Sequence, residues 1–161
     1  MKIPANKYDV FVETVCLLGL VGILVYLGVL WPQIAEMVPA HYNAAGQIDR
    51  MAGKNTLLLL PIIGWILYIG MSVLARFPRA WNTGVTITDE NRERVYRTLK
   101  NTLGTLKMAV VAAFAALTVY SSLGLNLPFW FLPGILILVL GLLFFFTARL
   151  MKESKAKNTE S

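Results

Sequence analysis

The chain has 161 residues, of which 57% are hydrophobic and 15% are charged. A typical soluble domain is about one-quarter charged and less than half apolar, so this composition excludes an ordinary soluble domain. Its length suits one membrane domain that comprises residues 1–161. The formal net charge is +6, but the basic residues stand at the ends of apolar runs. They therefore suit anionic lipid headgroups rather than nucleic acid, and the lipid bilayer is the expected partner.

Four apolar runs are each long enough to form a membrane span. The predicted spans are residues 10–30, 55–75, 105–123 and 129–150. As a helix, the first run would be roughly 32 Å long, which is enough to cross a bilayer core of about 30 Å. It is longer than the apolar part of a usual signal peptide, so we expect it to be retained. The predicted fold is an all-α integral membrane protein with four transmembrane helices.

Two residues of the first span belong to types that often carry chemistry. A carboxylate inside a span is costly and frequently functional. Glu13, however, lies only one turn inside, where it can reach the membrane surface and where the helix dipole favours a negative charge. We expect this structural role for Glu13. The single cysteine, Cys16, cannot form an intrachain disulfide and is expected to pack as a small apolar residue.

The polar segment between the second and third spans contains a helical pattern. Val95, Leu99 and Leu103 recur at intervals of four residues, which places them on one face of a helix. Asp89 precedes this stripe and is a candidate N-cap. The pattern predicts an amphipathic helix on the cytoplasmic membrane surface before the third span, with a bend at Gly104. A soluble extension of the third span is the alternative.

The distribution of basic residues predicts the orientation. Lys and Arg number 2 at the N-terminus, 7 in the segment of residues 76–107 and 4 at the C-terminal end. The loop between the first two spans carries 2, and the turn before the fourth span carries none. The positive-inside rule therefore places both termini in the cytoplasm and the first loop outside. Trp31 and Trp130 then fall at the outer boundary, where Trp is enriched.

The outer loop, residues 38–54, is polar, rich in turn formers and contains the only histidine. Asn and Asp side chains can bond their own backbone in tight turns, and Gly46 permits a positive φ. Asp49 and Lys54 have the charges to pair. We expect the side chains of His41, Asn43, Asp49 and Lys54 to converge on one outward surface, with Gly46 setting the turn. The candidate binding residues are Pro39, His41, Asn43, Gly46, Asp49 and Lys54.

This loop resembles the signature loop of a bacterial membrane family. The pattern is carried by Pro39, His41, Asn43, Gly46, Asp49, Gly53 and Lys54. The family is catalogued as a domain of unknown function and forms the N-terminal part of SdpI-type toxin-immunity proteins. The turn after the second span also resembles that of the family, in Pro78, Arg79 and Asn82. The resemblance covers residues 10–82 and implies a multi-pass protein of the bacterial plasma (inner) membrane that acts in toxin immunity or envelope signalling.

Several functions are open at this point. The favoured one is not enzymatic: the outer loop recognises an extracellular peptide toxin or a membrane partner protein. The loop is equally well explained as a self-bonded structural cap. A small transporter or channel subunit would need polar groups along a path through the membrane, and the spans offer few.

A metal-dependent membrane enzyme is the remaining reading and would use Glu36, His41 and Asp49. Zinc sites usually combine three or four ligands with more than one His or Cys, which this set lacks. We therefore assign no catalytic residue, no metal ligand and no cofactor. The sequence sets no oligomeric state.

Overall fold

A computed structural model of the chain describes residues 3–78, 81 and 84–155. It is mostly helical, and four helices of the described part are long and apolar enough to cross a membrane. These features are those of a multi-pass membrane protein. The helices are α1 (Lys7–Leu30), α2 (Leu59–Leu74), α3 (Arg92–Ser122) and α4 (Phe131–Lys155). A 3-10 turn, Lys54–Leu58, extends α2 at its start, and the two together form one apolar stretch of 21 residues.

The start of α1 is set by a capping box. The Asn6 side chain accepts a hydrogen bond from the Asp9 amide at 2.9 Å, and the Asp9 carboxylate accepts one from the Asn6 amide at 2.9 Å. These two bonds satisfy amides that have no partner within the helix. The helix then buries a single stripe, and much of its opposite face stays exposed for lipid. The stripe consists of Val12, Cys16, Leu20, Ile23 and Leu27.

Helix α3 is the centre of the bundle, because α1, α2 and α4 all pack against it, whereas α1 and α2 touch each other only slightly. It is unbroken from Arg92 through Gly104 to Ser122, so the amphipathic helix predicted before the third span is wrong as a separate element. That segment is the first part of α3 and so extends the third span, as in the alternative, although it is packed rather than fully solvated. A helix of 31 residues is about 46 Å long and exceeds a bilayer core of about 30 Å.

The stripe predicted for this part of α3 does pack, since Val95 is fully buried and Leu99 is half-buried. The helix begins after Asn91 rather than after Asp89. The Asn91 side chain accepts a hydrogen bond from the Thr88 amide at 2.9 Å and donates to the Thr86 carbonyl at 3.0 Å. Asp89 instead forms an ion pair with Arg92 at 2.8 Å.

The segment between α1 and α2 forms a β-hairpin, which the all-α prediction did not include. Strands β1 (Met37–Tyr42) and β2 (Ile48–Gly53) are antiparallel, and the register is irregular between Pro39 and Tyr42. The base of the hairpin is anchored by Val38, which lies in an apolar cluster with Leu27, Ile34 and Leu57. We call this end of the bundle the hairpin end. The N-terminus, the start of α3 and the last turn of α4 lie together at the opposite end, where Thr98 donates a hydrogen bond to Glu153 at 2.6 Å.

Candidate functional site

The tip of the hairpin is organised by Asn43. Its side-chain oxygen accepts hydrogen bonds from the amides of Ala45 at 2.9 Å and Gln47 at 3.0 Å. The backbone closes the same turn, since the Asn43 amide donates to the Gln47 carbonyl and the Gly46 amide donates to the Asn43 carbonyl, both at 2.9 Å. Gly46 has φ +79°. Asn43 therefore shapes the turn rather than offering its side chain to a ligand.

The hairpin tip is seated on the turn between α3 and α4. The Leu127 amide donates to the Gly46 carbonyl at 2.8 Å, and the Ile48 amide donates to the Asn126 side chain at 2.8 Å. The backbone of Gly46 is so close to Leu127 that a Cβ at position 46 would lie 2.6 Å from the Leu127 carbonyl oxygen. The position of the tip thus depends on residues that lie almost eighty positions further along the chain.

A third contact comes from Tyr42, at the end of β1. Its hydroxyl lies 3.2 Å from the Ser121 hydroxyl and donates to the Leu125 carbonyl at 3.1 Å. Burial raises the pKa of the Tyr42 phenol, although the hydrogen bond with Ser121 lowers it in part. Tyr42 therefore stays protonated at neutral pH and acts as a hydrogen-bonding tether between the hairpin and α3.

His41 and Asp49 form the exposed polar pair of the hairpin. Nδ1 of His41 lies 2.7 Å from Oδ1 of Asp49, across the two strands. Their side chains are 60% and 41% exposed, respectively. The carboxylate orients the imidazole through Nδ1. The described residues make no hydrogen bond to Nε2, so that nitrogen is available to a ligand at this exposed position.

Lys54 does not join this pair, so the expected pairing of Asp49 with Lys54 is wrong. Its ammonium group bonds Glu36 at 2.7 Å and lies 5.7 Å from the centre of the Trp31 ring. Lys54 thereby fastens the base of the hairpin to the end of α1. Of the four side chains expected to converge, only His41 and Asp49 come together.

Pro39 lies within β1 and is buried. At the opposite end, Pro78 follows α2 and is also buried. Its carbonyl accepts a hydrogen bond from the Trp81 amide at 3.1 Å, and the Trp81 indole donates to the carbonyl of Leu74 at 2.8 Å, which caps α2. Arg79 and Asn82, the other two residues predicted for this turn, lie outside the described residues.

A cavity of about 650 Å³ lies beneath the hairpin, bounded by the hairpin, α2, α3 and the start of α4. Such a volume is within the range of small-molecule sites, about 300–1,000 Å³. Polar groups at the hairpin side come from His41, Tyr42, Arg50 and Ser121. The remaining walls are mostly aliphatic and include Leu57, Leu59, Leu60, Ile63, Leu117, Leu127 and Leu132. The cavity suits an amphiphilic occupant with an apolar part towards the membrane.

The positions of Glu36, His41 and Asp49 also decide whether these three residues form a metal site. Glu36 is engaged by Lys54, whereas His41 and Asp49 bond each other. No group of three or more His, Cys, Asp or Glu side chains comes together within the part of the chain that the structure describes. The trio Glu36, His41 and Asp49 is therefore not assembled as a metal site.

The reading of Glu13 as a residue that only reaches the membrane surface is wrong. Its carboxylate forms an ion pair with Lys107 of α3 and accepts a hydrogen bond from the Tyr68 hydroxyl at 2.6 Å. Lys107 also donates to Ser72 at 3.1 Å and is only 3% exposed. By its place in the sequence, Lys107 counts among the basic residues outside the membrane. Its place on the inner face of α3 became visible only with the partner helices.

Comparison with known proteins gives one match. Residues 18–64 match the family model of a domain of unknown function (DUF1648). This segment comprises most of α1, the whole hairpin and the first turn and a half of α2. No curated protein and no solved structure matches the chain.

Proposed function

We propose that this is an SdpI-like protein of the bacterial plasma membrane, in which the hairpin recognises an extracellular amphiphilic peptide in toxin resistance or envelope signalling. The observation that carries the proposal is the cavity beneath the hairpin. It joins hydrogen-bonding groups of His41, Arg50 and Tyr42 to an apolar wall made by membrane helices. A peptide could place an apolar side chain against that wall while its polar groups meet the hairpin.

The proposal requires the hairpin to face outward with both termini in the cytoplasm. The charge distribution supports this orientation. With Lys107 removed from the count because it is buried, 12 basic residues lie outside the hairpin segment in the sequence, against 2 within it. Trp31 and Trp130 both lie at the hairpin end, as expected for an aromatic belt.

The two other functions receive less support. A channel would need a continuous polar path, but the buried apolar residues Cys16, Leu20 and Val111 lie between the Glu13–Lys107 pair and the hairpin end. A metal-dependent enzyme would need more ligands than the His41–Asp49 pair supplies.

Survival of a sensitive bacterium that expresses the protein provides the test. A sensitive bacterium that expresses the wild-type protein is exposed to membrane-active peptides, including any peptide encoded beside the gene, and survival is measured. His41→Ala should abolish protection at a normal protein level, because it removes an outward group at the cavity mouth. Ala52→Phe, which fills the cavity from β2, should do the same.

Met51→Ala is the matched control, since Met51 is an exposed residue of the same strand that does not line the cavity. It should leave protection unchanged. Full protection by both His41→Ala and Ala52→Phe would refute recognition at this cavity. Loss of the protein itself in His41→Ala would identify His41 as a structural residue of the cap.

A further inference from the structure

A second cavity, of about 620 Å³, lies near the end opposite to the hairpin. The cavity forms because α1 and α2 both pack against α3 but make little contact with each other, which leaves a groove between them. The floor of the groove is the α3 face that carries Lys100, Gly104 and Lys107, at helical spacing. The proposed peptide site does not use this cavity.

The walls of this groove are apolar and continue onto the lipid-facing surface. Val10 and Leu17 of α1 line it and are 60% and 41% exposed, and Met71 lines it from α2. A hydrocarbon chain that lay along these side chains would occupy both the groove and the adjoining bilayer. The groove is therefore open to a molecule that arrives from within the membrane.

The charges in and around the groove do not balance. Asp9 alone faces two cations, since Arg97 lies 3.0 Å and Lys100 lies 2.9 Å from the same carboxylate oxygen. The Glu13 carboxylate forms an ion pair with Lys107. Arg76 lines the rim from the end of α2 and is exposed.

Among the residues that the structure describes here, four cationic side chains therefore meet two carboxylates, which is an excess of two positive charges. Two cations of the groove are available to a further anion. Lys100 shares the Asp9 carboxylate with Arg97, and Arg76 lies exposed at the rim. Lys107 is held by Glu13, by Ser72 and by its position over the Tyr68 ring, 4.9 Å from the centre. A phosphate would thus be bound at the outer part of the groove, beside the apolar walls.

We propose that this groove binds an anionic phospholipid, with the phosphate between Lys100 and Arg76 and an acyl chain along Val10, Leu17 and Met71. The excess positive charge selects an anionic headgroup over a zwitterionic one. The apolar walls select a lipid over free phosphate, because a free ion would leave them without a partner. The site lies in the leaflet opposite to the hairpin.

Native mass spectrometry of the intact protein in detergent micelles tests the proposal. The probes are dioleoyl-phosphatidylglycerol, dioleoyl-phosphatidylcholine with the same chains, and inorganic phosphate. We expect the wild-type protein to bind phosphatidylglycerol more tightly than phosphatidylcholine. A basic residue near an anionic lipid surface is worth about 1 kcal/mol, which is roughly fivefold in affinity, so Lys100→Gln with Arg76→Gln should weaken phosphatidylglycerol binding by about 25-fold.

Arg94→Gln is the matched control, because Arg94 is an exposed basic residue of α3 that does not line the groove. It should bind phosphatidylglycerol as the wild type does. If Lys100→Gln prevents folding, Arg76→Gln alone, at its exposed position, should still weaken binding about fivefold. Equal binding of the two lipids by the wild type would overturn the proposal, as would undiminished binding by the folded Arg76→Gln variant. Competition by inorganic phosphate at millimolar concentration would assign the site to a soluble anion and overturn the lipid assignment.

Discussion

Replacement of Gly46 by alanine should free the hairpin tip from the turn between α3 and α4. Two features of the structure lead to this prediction. Gly46 has φ +79°, a conformation that residues with a Cβ adopt only at a cost. Its added Cβ would also lie 2.6 Å from the Leu127 carbonyl oxygen, which is backbone and cannot simply rotate away.

The magnitude follows from the same two features. A non-glycine residue in the left-handed region costs about 1–2 kcal/mol. To relieve the clash, the tip must move away from Leu127, whose amide bonds the Gly46 carbonyl at 2.8 Å, and the loss of such a hydrogen bond costs about 1 kcal/mol. The local opening of the tip should therefore become easier by about 2–3 kcal/mol. Gly46→Val should cost more, since a β-branched residue tolerates a positive φ poorly.

Amide hydrogen exchange in detergent micelles measures this opening directly. Amides of residues 43–48 should exchange about 30- to 150-fold faster in Gly46→Ala than in the wild type, because each 1.4 kcal/mol is a factor of ten. Gly53→Ala is the control. Gly53 lies in the same hairpin with φ −59°, and a Cβ there would meet nothing within 4 Å. Exchange at residues 43–48 that is as slow in Gly46→Ala as in Gly53→Ala would refute the reasoning.

Three further predictions concern the helices. Reporter fusions after Gln47 and after Ser161 should report opposite sides of the membrane, because the basic residues lie mostly away from the hairpin segment; a common side would exclude the four-span orientation. Leu99→Asp should lower the yield of folded protein, because Leu99 lines the space between α3 and α4; an unchanged yield and melting temperature would mean that the position is solvated. Lys107→Met should destabilise the protein by about 1–3 kcal/mol in thermal or denaturant unfolding, because Glu13 is left without its cation but is itself 45% exposed. Glu13→Gln added to the same chain should recover much of that loss, and a double variant as unstable as the single one would show that the unpaired carboxylate is not the cause.

The helices were predictable because their signal is local. An apolar run of some twenty residues has few alternatives to a membrane helix, since every backbone polar group must be satisfied within lipid. The same reasoning missed the length of α3. Its first turns are polar, and a polar start predicts a separate surface helix as readily as an extension. The unbroken course of α3 through Gly104 decides for the extension, and the packing that buries Val95 is not specified by the stripe alone.

The ion pair of Glu13 and Lys107 shows a second limit. In the sequence, each residue alone is explained by a position near the membrane surface. The pairing arises because α1 and α3 run side by side in the same direction, from the Asp9–Lys100 contact to the Tyr26–Ser122 contact, which brings residue 13 of the chain to the level of residue 107. A one-dimensional count of basic residues cannot separate a lysine that faces the cytoplasm from one that is held inside the bundle.

The position of the hairpin also depends on contacts between residues that are far apart in the chain. Some of these residues lie outside the segment that matches the family model. The loop pattern predicted tight turns correctly at Asn43 and Gly46, but it contains nothing about what supports them. The support comes from Ser121, Asn126 and Leu127, which lie outside residues 18–64 that match the domain of unknown function. A chain that shared only the matched segment would lack the hydrogen bonds that seat the tip and one wall of the cavity. Recognition at the hairpin should therefore depend on the turn between α3 and α4 as much as on the loop pattern itself.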